Sequence, residues 1–313
     1  MYRYVIKRLL FLIPTVLGVT LIIFFVMGIT PGNPGRMILG PTAKQEAVDA
    51  KNHELGYDLP LWQRYVNYVK DIVTEGDFGN SYFTSRPVFE ELWPRFLLTL
   101  KLASFILVVS VGMGIPLGIY SAVRQYTLWD TVPTMLAFFL AAVPSFVIGM
   151  VLLFFFALKL NWFPSYGLDS LKSYILPVVA VAISEAAAYL RFTKSSMLEA
   201  IRQDYVRTAR GKGVPERTVI WKHAMRNALL PVITCVGMRF GILLAGMVTT
   251  ERLFSIPGIG SLIVDSISKK DEPVIIAATI MVAIAFTVLM LLVDIAYAFV
   301  DPRIRAKYSR TKG

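Results

Sequence analysis

The chain has 313 residues, of which 56% are hydrophobic and 17% charged, with a mean hydropathy of +0.60 and a formal net charge of +11. Soluble domains carry about 25% charged residues, so this balance excludes a disordered chain, a coiled coil and an ordinary water-soluble enzyme, and it points to a membrane protein. One cysteine, Cys235, excludes an intrachain disulfide and a cysteine-built zinc site, and two histidines far apart, His53 and His223, argue against a histidine-built metal site.

Six apolar runs are long enough to cross a bilayer core of about 30 Å as helices. They cover roughly residues 9–27, 97–123, 132–158, 174–192, 228–248 and 274–300, which predicts an all-α integral membrane protein with six transmembrane helices. The first run follows Arg3, Lys7 and Arg8, as a secretory signal would. It exceeds the about 7–15 apolar residues of a signal and leads into Gly28-Ile29-Thr30-Pro31 rather than a small-residue cleavage site, so a retained span is expected.

Between the first two runs lies a long loop, residues 29–96. Thr42 with Gln45 suggests a capping box, and Leu55-Gly56 a helix stop. After Pro60, the residues Trp62, Tyr65, Val66, Val69, Ile72 and Val73 recur at helical spacing. That face suits either a lid on the outer bilayer surface or a docking surface for an external partner.

The third and fourth runs bring prolines into or beside spans (Pro116, Pro133, Pro144, Pro177 and Pro231, counting the second and fifth), for which kinks are the ordinary expectation. Gly114-x3-Gly118 and Gly237-x3-Gly241 would let helices approach closely. Lys101, Glu185, Arg239 and Asp294 fall within the apolar runs, where an isolated charge is costly. Counting roughly 1.5 Å per residue from the inner ends puts Glu185 and Arg239 at similar depth, with Asp294 a second candidate for Arg239. The alternative is that one of these charges faces a substrate path.

Between the fourth and fifth runs, residues 193–227 form the richest loop. Met197, Leu198, Ile201 and Tyr205 line one helical face, with Glu199, Arg202 and Gln203 opposite. Gly211 and Gly213 interrupt it, and Pro215-Glu216 suits the first turn of a second helix. The expected object is a compact basic knob, either held to anionic lipid or serving as a plug for another protein.

Charge orients the chain. With the N-terminus inside, the inner segments hold 18 basic and five acidic residues, and the outer segments 12 basic and 14 acidic. This asymmetry satisfies the positive-inside rule with both termini cytoplasmic, and it accounts for the basic balance without nucleic acid. Gly211-Lys212-Gly213 lacks the first glycine and the hydroxyl of a P-loop, and neither His-Glu-x-x-His nor Gly-x-Ser-x-Gly occurs. The chain is therefore not expected to be an enzyme, and ATP, if used, would be bound by a partner.

The run Asp204-Tyr205-Val206-Arg207-Thr208-Ala209-Arg210-Gly211-Lys212-Gly213, followed by His223-Ala224-Met225-Arg226-Asn227-Ala228-Leu229-Leu230-Pro231, resembles the cytoplasmic EAA loop of bacterial ABC importer permeases. The branch it most resembles serves dipeptides, oligopeptides and nickel. Pro31-Gly32-Asn33-Pro34, with Asn where Asp is usual, Leu55-Gly56 with Pro60-Leu61, and Gly76-Asp77-Phe78-Gly79-Asn80-Ser81 are similar to that branch's outer loop. Glu251, Phe254 and Pro257-Gly258-Ile259-Gly260 resemble the loop after the fifth span, with Ile256 replacing the usual Trp, and Asp301-Pro302-Arg303-Ile304-Arg305 resembles the branch's end. Gly211 stands where Ala is common in the family.

The resemblance implies an ABC importer permease architecture: a first span with its tail (1–28), an outer loop (29–96), a five-span core (97–300) holding the coupling loop 193–227, and a cytoplasmic tail (301–313). It implies that Arg207, Thr208, Ala209, Arg210, Gly211, Lys212, Gly213 and Val214 form a coupling helix seated on a cytoplasmic ATPase. It also implies a bacterial cell-membrane location, a second homologous permease, two ATPases that bind ATP and Mg, and an external substrate-binding protein. Membrane lipid is the remaining expected partner. Short peptides are the expected cargo, with nickel or another small solute as the alternative within the branch. A self-contained secondary transporter is the alternative outside it, although no repeat between the halves is evident.

Overall fold

A computed structural model describes residues 2–29 and 32–300, without the side chains of 2–5, 7–9, 245–246, 294 and 296–300. In chain order the elements are α1 (Tyr2–Ile29), α2 (Pro34–Leu39), α3 (Gln45–Glu54), α4 (Leu61–Glu75), α5 (Val88–Val123), α6 (Leu128–Ala142) and α7 (Ser145–Leu152), which continues as a π-helix over Leu153–Lys159. Then come α8 (Leu171–Ile201), α9 (Asp204–Gly211), α10 (Glu216–Thr218) with a π-helical turn over Val219–Ala224, α11 (Met225–Gly246), α12 (Val248–Leu253), α13 (Ile259–Lys269) and α14 (Glu272–Val300). No strand is formed among the described residues. The C-terminal run Asp301–Arg305, Thr30 and Pro31 lie outside them.

Among the described residues, five segments are long and apolar enough to cross a membrane: Leu10–Ile29, Val88–Val123, Leu171–Ile201, Glu216–Leu244 and Glu272–Val293. The expected third span is present as a broken helix pair, a sixth crossing where the pair is counted as one span. Instead of one helix over 132–158 there are two arms, Leu128–Ala142 and Ser145–Lys159, bent by 96°. Pro144 is the cause: its ring clashes with a helical Val143, which turns extended at φ −87°, ψ 123°. Pro133, Pro177 and Pro231 remain inside continuous helices.

The described residues divide into two compact units, one comprising 100–256 with 288–300 and 2–5, the other Ile6–Thr99 and Pro257–Thr287. In the first unit α8 is the central helix, packed against α6, α7 and α11. Tyr189, Met197 and Ala182 are among its buried residues. Small residues bring α5 onto it: a Cβ at Gly114 would lie 2.5 Å from the Ala186 carbonyl oxygen, and one at Gly118 would lie 2.7 Å from that of Leu190. On α11, a Cβ at Gly237 would meet the Val293 side chain at 2.3 Å.

In the second unit Phe24 of α1 and Ile276 and Ile280 of α14 form a core covered by Leu61, Tyr65, Tyr68 and Ile72 of α4. The expected α4 face is thereby divided. Tyr65 and Ile72 point to protein, together with Tyr68, which the periodicity missed, while Trp62, Val66 and Val73 stay exposed. The expected Thr42–Gln45 capping box is also corrected. Lys44 occupies the cap of α3 without a side-chain bond, and the Gln45 side chain donates from Nε2 to Asp49 Oδ1 at 2.9 Å. Asn33 caps α2 by accepting from the Arg36 amide at 3.1 Å, so the exchange of Asp for Asn keeps the cap.

Candidate functional site

Two places in the first unit carry the chemistry, the knob between α8 and α11 and a charged pair inside the apolar helices. The knob starts where α8 ends at Ile201, and Arg202 and Gln203 form the turn into α9. The break thus comes before Tyr205 rather than at Gly211, and Tyr205 belongs to α9 instead of extending the face of Met197 and Ile201. Gly211 stays helical, and the reversal falls on Gly213, whose φ of +73° is in the left-handed region that glycine enters freely. Pro215 then occupies the cap of α10, as its missing N–H permits.

One face of α9 is anchored. Val206 and Ala209 are buried in a cluster with Ile119 and Ala122 of α5, Met197 and Ala200 of α8, and Val219, Ile220 and Ala224 of the π-helical turn. Val214 packs against the same cluster. The other face is open: Arg207, Thr208, Arg210, Gly211, Lys212 and Gly213 are exposed. Arg210 is engaged within the chain, donating from Nε at 3.0 Å and Nη2 at 2.6 Å to the two carboxylate oxygens of Glu216. Arg207 lies 3.9 Å from the fully exposed Asp204, a separation that adds little in water. The eight residues 207–214 therefore make an anchored helical end, a glycine reversal and a rim of cations.

Deeper in the apolar region, Arg239 of α11 donates from Nε to Glu185 Oε2 at 2.6 Å and from Nη2 to Oε1 at 3.1 Å. The two-pronged geometry matches the planar guanidinium to the carboxylate. Arg239 also lies 6.0 Å from the centre of the Tyr189 ring. The side chain of Glu185 is largely buried, and that of Arg239 remains about one-third exposed. The side chain of Asp294 lies outside the described residues.

Sequence reasoning missed two further pairs. Lys194 of α8 is bonded to Asp130, which also accepts from the Tyr126 amide at 3.2 Å and the Thr134 hydroxyl at 3.1 Å. An acid in the first turn of α6 after Thr127 was the one available signal. In the second unit Arg64 pairs with Glu272 at 2.7 Å, both nearly buried, and lies 3.5 Å above the Tyr57 ring. These partners are separated by 208 positions, and nothing local announces them. In the same unit Ser81, at the end of the Gly76–Ser81 motif, donates to Asp271 at 2.5 Å, and the Tyr82 amide donates to the other carboxylate oxygen at 3.1 Å. Burial pushes the Asp271 carboxyl above its ordinary value, against the pull of those two donors.

Among the described residues no group of three or more metal-ligating side chains gathers. The arrangement is one of packed helices with an exposed basic knob, the layout of a membrane transport subunit. Residues 114–306 match the family model for the binding-protein-dependent transport system inner membrane component, and residues 1–103 match the N-terminal model of such membrane components. The chain belongs to this family of ABC importer permeases.

It is 41% identical over 307 residues to the glutathione transport system permease protein GsiC of Salmonella choleraesuis (strain SC-B67), covering 98% of this chain and all of that one. It is 40% identical over the same length to the protein of that name in Escherichia coli (strain K12). The fold is also similar to a chain of the inward-facing MetNI methionine ABC transporter, with a TM-score of 0.58 at 15% identity, covering 70% of this chain and all of that one. An amino acid ABC transporter chain follows with a TM-score of 0.51 at 18% identity, covering 64% and 92%.

Proposed function

We propose that this chain forms half of the translocation path of an ATP-driven importer for short peptides in a bacterial inner membrane, with a second permease, two cytoplasmic ATPases and an external binding protein. The observation that carries the peptide reading is full-length similarity to permeases named for glutathione, itself a small peptide. Nickel remains the alternative cargo within the branch.

Orientation follows from the basic knob. If the arms α6 and α7 together cross once, the N-terminus, the knob and the C-terminus share the inner side, where Lys and Arg accumulate. If the bent pair returned to the side it left, the knob would face outward with its cations, against that rule.

Residues 207–214 seat on one ATPase in this reading. Closure of the ATPases around ATP displaces α9, and α9 cannot move alone. Val206 and Ala209 are packed among residues of α5, α8 and the turn before α11, and a close-packed interior transmits displacement rather than absorbing it. Arg207 and Lys212 supply register and encounter charge, while Arg210 stiffens the turn through Glu216. ATP and Mg belong to the partner subunits, and this chain contributes the mechanical link.

The test is a mild-detergent pull-down of the chain from its native membrane, with ATPase activity measured on what it brings. An ATPase and a second permease that are lost when residues 207–214 are altered support the assignment. A chain that purifies alone with no ATPase overturns it in favour of a self-contained carrier.

A further inference from the structure

We infer that the inner end of α10–α11 is a binding site for an anionic phospholipid, whose headgroup phosphate sits on Arg217, Lys222 and Arg226 and whose acyl chain runs along α5. This goes beyond the importer reading, and it rests on the orientation given there and on Glu216–Leu244 crossing the bilayer.

Two adjoining depressions carry the inference. One is an open cleft of about 850 Å³ lined by Arg217, Trp221, Lys222 and Arg226. The other is a mainly apolar groove of about 510 Å³ lined by Pro116, Leu117, Tyr120 and Val123 of α5 and, on its opposite wall, Ile220, with Glu216 at its edge. Arg217 and Trp221 line both, so these two side chains stand on the boundary that the cleft and the groove share. Among the described residues none of the three cations has an acidic partner, and the nearby Glu216 is already held by Arg210.

Position selects the occupant. The cleft spans the first turns of a membrane-crossing segment, the level of the headgroups, and Trp221 is 54% exposed there, as an interfacial tryptophan is. The groove runs from Val123, the end of α5, about two turns back to Pro116. A soluble partner would have to bury polar surface against that apolar wall, whereas an acyl chain gives up nothing. Clustered Lys and Arg at the cytoplasmic end of a membrane helix attract acidic headgroups.

The experiment places the purified chain, with whatever subunits accompany it, in phosphatidylcholine nanodiscs doped with brominated phosphatidylglycerol or brominated phosphatidylcholine. Emission from Trp221 is isolated as the difference from Trp221→Phe. Brominated phosphatidylglycerol is expected to quench it at about a fivefold lower mole fraction or less, the preference worth of at least one well-placed cation. The Arg217→Gln/Lys222→Gln/Arg226→Gln variant is expected to quench equally with both lipids. Equal quenching in the unaltered chain overturns the inference without recourse to any variant. A preference that survives the triple change overturns the cation assignment. No quenching by either lipid assigns the face to a protein neighbour and overturns the lipid site, leaving the ATPase assignment untouched.

Discussion

Arg239 and Glu185 close a two-pronged ion pair between α11 and α8, at 2.6 and 3.1 Å, within the apolar stretches of both helices. Neither charge is tolerable alone at that depth, and a half-removed pair leaves the other stranded. Glu185→Gln and Arg239→Gln are each expected to lower the thermal unfolding temperature. The double change is expected to be milder than their sum by about 1–3 kcal/mol of coupling. Strict additivity in the unfolding cycle would argue that the two side chains act separately.

Gly213 sets the direction in which the knob turns back. Its φ of +73° is unavailable to proline, whose ring fixes φ near −65°, and its amide donates to the Arg210 carbonyl at 2.9 Å. Gly213→Pro, or deletion of residues 210–214, is expected to abolish uptake in intact cells while the chain still inserts in the membrane at normal abundance. Uptake at the level of the unaltered protein would remove residues 207–214 from the coupling role.

What could be read in advance follows the range of each interaction. Apolar length gives the spans because a bilayer imposes a threshold on every helix separately. Glu185 and Arg239 were pairable by depth alone, since buried charge demands a partner and few candidates exist. Pro144 was harder. Pro133, Pro177 and Pro231 sit in unbroken helices, because a lost backbone bond can be compensated by neighbours in the membrane. Nothing in the local sequence says which proline will lack that compensation. Arg64 with Glu272 and Ser81 with Asp271 were out of reach for a different reason: the partners are far apart in sequence, and both ends look like ordinary loop polar residues. Within the knob, Pro215 and Gly213 were legible as punctuation, while the turn at Arg202-Gln203 carries neither glycine nor proline and passed as helix.

The approach of α5 to α8 should be sensitive to a single methyl group. A Cβ at Gly114 would lie 2.5 Å from the Ala186 carbonyl oxygen, and both backbones would have to part. Gly114→Ala is expected to destabilise the detergent-solubilised subunit by about 1–3 kcal/mol, the usual penalty of overpacking. Gly112, on the same helix with nothing within 4 Å of an added Cβ, is the matched control. Gly112→Ala is expected to leave the unfolding temperature unchanged or slightly raised. Equal effects at the two positions would mean that close packing is not what Gly114 provides.

Asp271 gives the second unit a pH dependence whose sign is opposite to that of an ordinary salt-bridged carboxylate. Burial raises its folded pKa above the 3.8 of a free side chain, although Ser81 and Tyr82 donate to it. Between those two values the folded state holds the proton more tightly than the unfolded chain does. Stability from this group therefore declines as pH rises from about 4 through the folded pKa, and is flat above it. Asp271→Asn removes the titration and should flatten that limb. Ser81→Ala removes a donor to the charged form, so the folded pKa climbs further and the decline extends to higher pH. Hydrogen-exchange protection of the Ser81 to Val88 segment, followed across this range in the three proteins, reads the effect locally. Protection that instead rises with pH in the unaltered chain, and does so equally in Asp271→Asn, would mean that other carboxylates govern this unit.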